Sequence, residues 1–309
     1  MKLAFVYAGQ GSQRPAMGQD LYAEYPAFRQ AMDSLDPGNT IKNLCFTATM
    51  EELSQTENTQ KALLAFGIAL TATLGHFGFY PQAAAGLSLG EYAALYAAGA
   101  FSAATAMDIV TYRGKVMAEA AQGRDSKMVA VLKGEIEQIK ECCNQASPLG
   151  VVAIANYNSP EQTVIGGETA AVDKAVELIL AQGARRCVPL AVSGPFHTPI
   201  MAPAAAKMAE KLAPVSFGEL QIPVYFNVTG KSLAEGESIA QLLTAQVKEP
   251  VRFTEIIQAL AAMDLDAIVE IGPSKVLSGF IKKTQPGLKT YSVTDCQSLE
   301  KLRQEMKVK

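Results

Sequence analysis

The chain has 309 residues, 49% of them hydrophobic and 18% charged, which excludes a disordered polymer and allows a large core in one domain or two. A net charge of −3, with no basic block longer than pairs such as Lys282–Lys283 or Arg185–Arg186, argues against nucleic acid as a partner. Five cysteines, odd in number and without metal-like spacing, lead us to expect no metal and a reducing, cytoplasmic setting.

The chain opens with "LAFVYAG", an apolar run too short for a signal segment and expected to be a buried strand. Helical periods follow over 19–35 and 59–76. The second contains "ALLAFGIALTATLGHFGF", which carries His76 and three glycines and is expected to be a buried helix rather than a membrane span. A strand ending at "AAAG" then leads into a run of good helix formers, and a long helix is expected over 102–122. After the turn-rich "GRDS" the texture changes. "KMVAVL" reads as strand, 134–145 as helix, "GVVAIAN" and "QTVIGG" as strands, 168–182 as helix and "ARRCVPLAV" as strand. This βαββαβ order is a ferredoxin-like arrangement. It predicts an α/β protein with a small ferredoxin-like subdomain at 124–192, inserted in a large subdomain made of 1–123 and 193–309. The large part resumes with a helix after "SGPFHTP" and strands at "VYFNVTG" and "AIVEIG". The glycine-rich "GQGSQ" at 9–13 is not a dinucleotide fingerprint, because Arg14 stands where the third glycine would fall.

At the joint "AAAGLSLGEYAAL" (83–95), Ser88 lies between Gly86 and Gly90. G-x-S-x-G between a strand and a helix predicts a nucleophile elbow, with the hydroxyl exposed at the tip and backbone N–H groups of the helix start aimed at the same spot. Side chains at the two glycine positions would collide with the neighbouring strand and helix. A serine nucleophile needs a base, and the chain has two histidines. His76 ends an apolar helix and is expected to be structural. His197 sits in "GPFHTP", before a helix expected to start at Pro199 with Thr198 as its cap, and is the expected general base. Of the acids between Ser88 and His197, Asp108, Asp125 and Asp173 are each poorly placed to orient an imidazole. The orienting group is therefore not a carboxylate, or it follows His197 in the chain.

Plotted at 100° per residue, 102–122 puts Ala106, Ile109, Val110, Val116, Met117 and Ala120 on one stripe with Arg113 near its middle. A guanidinium on a core-facing stripe is costly unless an anion meets it. Either an internal salt bridge or a snorkelling stem accommodates it, or the anion is a substrate carboxylate held bidentately.

With these residues in place the chain resembles the malonyl-CoA:acyl carrier protein transacylase family over essentially its whole length. The resemblance rests on "GQGSQ" (9–13), "GLSLGEYAAL" (86–95), "YRGKVM" (112–117), "GPFHT" (194–198), "QVKEPVRF" (246–253) and "EIGPSKVLSGFIKK" (270–283). It implies a hydrolase-like parallel-sheet domain carrying the inserted subdomain. It implies Ser88 as nucleophile, His197 as base, Gln246 as a group that helps orient the histidine, the backbone amides of Gln10 and Leu89 as oxyanion hole, and Arg113 as holder of the malonyl carboxylate. It also implies ping-pong transfer from malonyl-CoA to the phosphopantetheine thiol of acyl carrier protein, in fatty acid biosynthesis, with no cofactor, no membrane partner and a monomeric chain. The family pattern commonly has G-H-S-x-G, whereas Leu87 stands here in place of that histidine. Phe196 before His197 favours an unbranched malonyl unit. A trans-acting acyltransferase of a polyketide pathway, or a serine thioesterase for an acidic substrate, would use the same three side chains.

Overall fold

We describe a computed structural model covering residues 1–307. Among the described residues nine strands form two sheets: β1 Leu3–Tyr7, β2 Pro81–Gly86, β3 Ser126–Leu132, β4 Val152–Ser159, β5 Gln162–Glu168, β6 Arg186–Pro189, β7 Val224–Tyr225, β8 Ala267–Ile271 and β9 Thr290–Val293. The larger sheet has the order β7-β2-β1-β8-β9, and all of its pairings are parallel. Parallel strands need helical crossovers, which cover both faces, so its central strands read as continuous apolar runs. In β1, Leu3, Phe5 and Tyr7 enter the main core while Ala4 and Val6 face a second cluster with Phe253, Ile257 and Phe280. The smaller sheet is antiparallel in the order β4-β5-β3-β6, with the helices Ile136–Ala146 and Thr169–Ala181 packed over a third cluster. The chain is thus α/β, a parallel-sheet unit carrying a ferredoxin-like βαββαβ unit.

Two local expectations change. The helical stretch at 19–35 is two helices, Gln19–Glu24 and Pro26–Leu35. Tyr25 precedes a proline, whose ring excludes the helical conformation there, and takes φ −108°, ψ 112°. Thr198 precedes a short 3₁₀ turn, Pro199–Met201, and the helix Ala202–Leu212, but its hydroxyl does not cap the turn. It donates instead to the Pro195 carbonyl at 2.5 Å and so closes the histidine loop on itself. The helices over Thr56–His76 and Ala103–Ala121 stand close to their expected limits.

The isolated bridge between Asn156 and Val251 ties the two units together. Val251 N–H donates to the Ala155 carbonyl at 2.9 Å, and Tyr157 N–H to the Val251 carbonyl at 2.8 Å. The segment just after Gln246 is therefore pinned to the small sheet.

Candidate active site

The elbow at the end of β2 is as tight as its glycines suggest. A Cβ on Gly86 would lie 1.9 Å from the Gly90 carbonyl carbon, and one on Gly90 would lie 2.1 Å from the Tyr7 carbonyl oxygen. Strand, following helix and adjacent β1 thus cross in backbone contact. Ser88 at the tip has φ 53°, a left-handed conformation that costs a non-glycine residue on the order of 1–3 kcal/mol and persists only where its surroundings impose it. His197 is left-handed too, at φ 61°.

Ser88 Oγ lies 2.7 Å from His197 Nε2, and His197 Nδ1 lies 2.7 Å from the main-chain carbonyl of Gln246. A carbonyl only accepts, so Nδ1 carries the proton and Nε2 is left as acceptor for the serine hydroxyl. The third member is a backbone oxygen and not an acid. Asp108 pairs with Lys211, Asp125 accepts from Thr169 and Asp173 pairs with Lys127, all at the surface. His197 N–H also reaches the Val247 carbonyl at 3.3 Å, so ring and backbone dock on the same segment. Burial, with the nearby guanidinium adding to it, holds the His197 pKa down to about 4, so the imidazole is neutral at physiological pH. His76 is the last residue of its helix, with its ring edge-on to Phe77.

Arg113 is 1% exposed. Its Nη1 donates to Gln60 Oε1 at 2.8 Å, and one Nη2 donates to Gln246 Oε1 at 3.0 Å and to Ser88 Oγ at 3.1 Å. The guanidinium carbon sits 5.4 Å from the centre of the Tyr92 ring, a cation–π contact. Nε has no partner, and among the described residues no carboxylate is in ion-pair contact with the guanidinium. Of the alternatives left open by the helix stripe, internal salt bridge and snorkelling are both absent. The buried cation is cradled by two neutral amides beside the serine.

Gln246 is more than an orienter of the histidine. Its carbonyl accepts from His197 Nδ1–H, its Oε1 accepts from Arg113, and its Nε2 donates to the Ser88 carbonyl at 2.9 Å. The backbone N–H groups of Gln10 and Leu89 donate to no group among the described residues, and both residues line the same cavity as Ser88. Leu89 is the N-cap of the helix Gly90–Ala97, where free N–H groups and the helix dipole favour negative charge. The Gln10 side chain is anchored through Thr56 to Ser193, next to the histidine loop. The cavity, about 220 Å³, lies between the two sheets. Ser88, Arg113 and His197 line it together with Met128, Asn158 and Val164 of the small sheet.

Residues 4–308 match the acyl transferase domain family. The malonyl CoA-acyl carrier protein transacylase of Bacillus subtilis is 40% identical over 309 residues, covering 99% of this chain and 98% of the relative. The chain belongs to the malonyl CoA-acyl carrier protein transacylase family. The Escherichia coli K12 transacylase is 38% identical over 91% of this chain and 92% of its own. Among solved structures, MCAT from Streptococcus pneumoniae superposes with a TM-score of 0.94 at 46% identity, over 98% of this chain and 100% of that one. A malonyl-transacylase in complex with a type II PKS acyl-carrier protein superposes at 0.95 with 36% identity, over 99% and 100% of the two chains.

Three transacylase-site residues escaped the sequence reading. Gln60 is fully buried against Arg113, and its signal was a polar residue on the inward face of an apolar helix. Asn227 and Glu91, both 0% exposed, meet beneath the elbow, where Asn227 N–H donates to Glu91 Oε2 at 2.5 Å. Burial pushes the Glu91 pKa up to about 8, against the pull of the Asn227 N–H and of the nearby guanidinium, which is not in ion-pair contact with it. Leu87, in place of the family's histidine, packs against the second apolar cluster.

Proposed function

We propose that this protein transfers the malonyl group of malonyl-CoA to the phosphopantetheine thiol of an acyl carrier protein, through a malonyl ester on Ser88. The observation that carries this reading is Arg113: a buried guanidinium with only neutral partners, 3.1 Å from the serine oxygen. An acyl group on Ser88 that ends in a carboxylate one methylene from its carbonyl brings that carboxylate beside the guanidinium. In acylation His197 Nε2 takes the serine proton as Oγ attacks the thioester carbonyl. The amides of Gln10 and Leu89 receive the developing oxyanion, and the thiolate of CoA leaves with the proton from the imidazolium. The carrier thiol, deprotonated by the same Nε2, attacks the ester in the reverse sense and regenerates Ser88. No step calls on a cofactor or metal. Among the described residues no helix is long and apolar enough to cross a membrane. We place the protein in the cytoplasm, as a monomer.

The test is intact mass measurement after mixing with malonyl-CoA. A stable malonyl-enzyme is expected, discharged by holo carrier and untouched by apo carrier, which lacks the thiol. Turnover in buffer alone would make the protein a thioesterase. The relative solved with a polyketide carrier supports a second choice of acceptor, so fatty acid and polyketide carriers belong in the same assay.

A further inference from the structure

We propose that Asn227 is a positioning residue for this reaction: its carboxamide bridges the last carbonyl of the elbow strand and the Ser88 amide, and so fixes the left-handed turn from which the hydroxyl reaches His197. The inference rests on Ser88 being the nucleophile. Asn227 follows β7, which pairs with β2 directly beside the elbow. Its Oδ1 accepts from Ser88 N–H at 2.6 Å, and its Nδ2 donates to the Gly86 carbonyl at 2.6 Å. The amide cannot be turned over, because that would set its NH₂ against an N–H and its oxygen against a carbonyl. The main chain of Asn227 is held as firmly, by N–H to Glu91 Oε2 at 2.5 Å and by its carbonyl accepting from Arg252 N–H at 2.8 Å. Every hydrogen-bonding group of Asn227 is thus engaged, in a residue that does not line the cavity.

Neither neighbouring element supplies that support. The strand has ended at Gly86, and Ser88 precedes the helix, so its N–H has no carbonyl one turn back to accept it. The Ser88 carbonyl is taken from the other side, by Gln246 Nε2 at 2.9 Å and Glu91 N–H at 3.1 Å. Side chains from distant segments therefore reach both peptide groups of Ser88, Asn227 alone on N–H and Gln246 beside the helix's own Glu91 N–H on C=O. Without the Asn227 clamp the residue relaxes toward ordinary φ and its Oγ swings off Nε2. A misplacement of about 1 Å at a reacting atom costs on the order of a hundredfold in rate.

The experiment uses Asn227→Leu, which removes both bonds at similar volume, and Asn227→Asp. Malonyl transfer gives kcat and KM, a serine-directed fluorophosphonate reads Ser88 reactivity without the malonyl site, and a melt gives the folded fraction. In Asn227→Leu, kcat and the labelling rate are expected to fall together by about a hundredfold, with KM for malonyl-CoA within about threefold. In Asn227→Asp the protonated acid repeats both bonds of the amide, since its O–H donates to Gly86 and its C=O accepts from Ser88. Its kcat relative to wild type is therefore expected to rise as pH falls from about 8 to 6, while the ratio for Asn227→Leu stays flat. If Asn227→Leu does not fold, the pH rescue of Asn227→Asp carries the test. Labelling and kcat within threefold of wild type in folded Asn227→Leu, a change in KM alone, or a ratio for Asn227→Asp that stays flat and as low as that of Asn227→Leu would overturn the proposal. Absence of labelling at Ser88 in the wild type would overturn the reading of the site itself.

Discussion

At the scale of the residue, the site is decided by one buried cation and one uncharged imidazole. Arg113→Ala is expected to lower kcat/KM for malonyl-CoA by roughly 30- to several-thousand-fold, the range of ~2–5 kcal/mol for truncating one partner of a buried charge pair. Acetyl-CoA, which brings no carboxylate, should lose far less and could gain, because the desolvated charge is gone. Equal losses on the two thioesters in one assay would make Arg113 structural. His197 gives a prediction in pH. Its folded pKa of about 4 lies below the ordinary histidine value, so the base form persists through pH 5, and kcat/KM should fall only as pH drops toward about 4. A bound carboxylate offsets the Arg113 charge that helps to depress this pKa, so the acid limb of kcat should lie at higher pH than that of kcat/KM. Removing Arg113 should shift the kcat/KM limb upward as well. An acid limb of kcat/KM near 6.5 in the wild type would contradict this electrostatic account.

At the scale of the element, the elbow, the histidine loop and the arginine helix were legible because each breaks a local pattern. A serine stands between glycines at a strand–helix joint, a histidine is one of only two, and a guanidinium sits on an apolar stripe. The polar supports beneath them were not legible, since their partners are remote in sequence: Asn227 lies 139 residues from Ser88, and Gln60 lies 53 from Arg113. No periodicity reports such a pairing. The identity of Gln246 came from family resemblance, but the atom that orients the histidine belongs to its main chain and would serve in any residue. Leu87 tests the elbow as an element. Its half-buried side chain packs against the apolar cluster of Phe253 and Phe280 at the edge of the cavity, so Leu87→His trades apolar contact for a polar ring, at ~1 kcal/mol of stability. A lower melting temperature with kcat changed less than about tenfold is expected. A large gain in kcat would show that the elbow misses its histidine.

At the scale of the whole molecule, the cavity lies between two sheets, and the segment that positions His197 is bolted to the smaller one through Val251. Ligand that fills this cavity and meets Arg113 therefore ties the two units together. For Ser88→Ala, which cannot be acylated, malonyl-CoA at a hundredfold over its Kd should stabilise the fold by ~2.7 kcal/mol, a rise of a few degrees in Tm. Acetyl-CoA at the same concentration should raise Tm much less, and equal shifts would remove Arg113 from the binding energy. The left-handed backbone at Ser88 bears on durability as well. Glycine ordinarily weakens a chain relative to alanine, but here Ser88→Gly should melt above Ser88→Ala by ~1 kcal/mol, because both lack the hydroxyl and only glycine accepts that φ without strain. Among chains that have already lost the hydroxyl, selection for heat resistance alone would therefore settle on glycine at 88 over alanine, and neither molecule would do any chemistry.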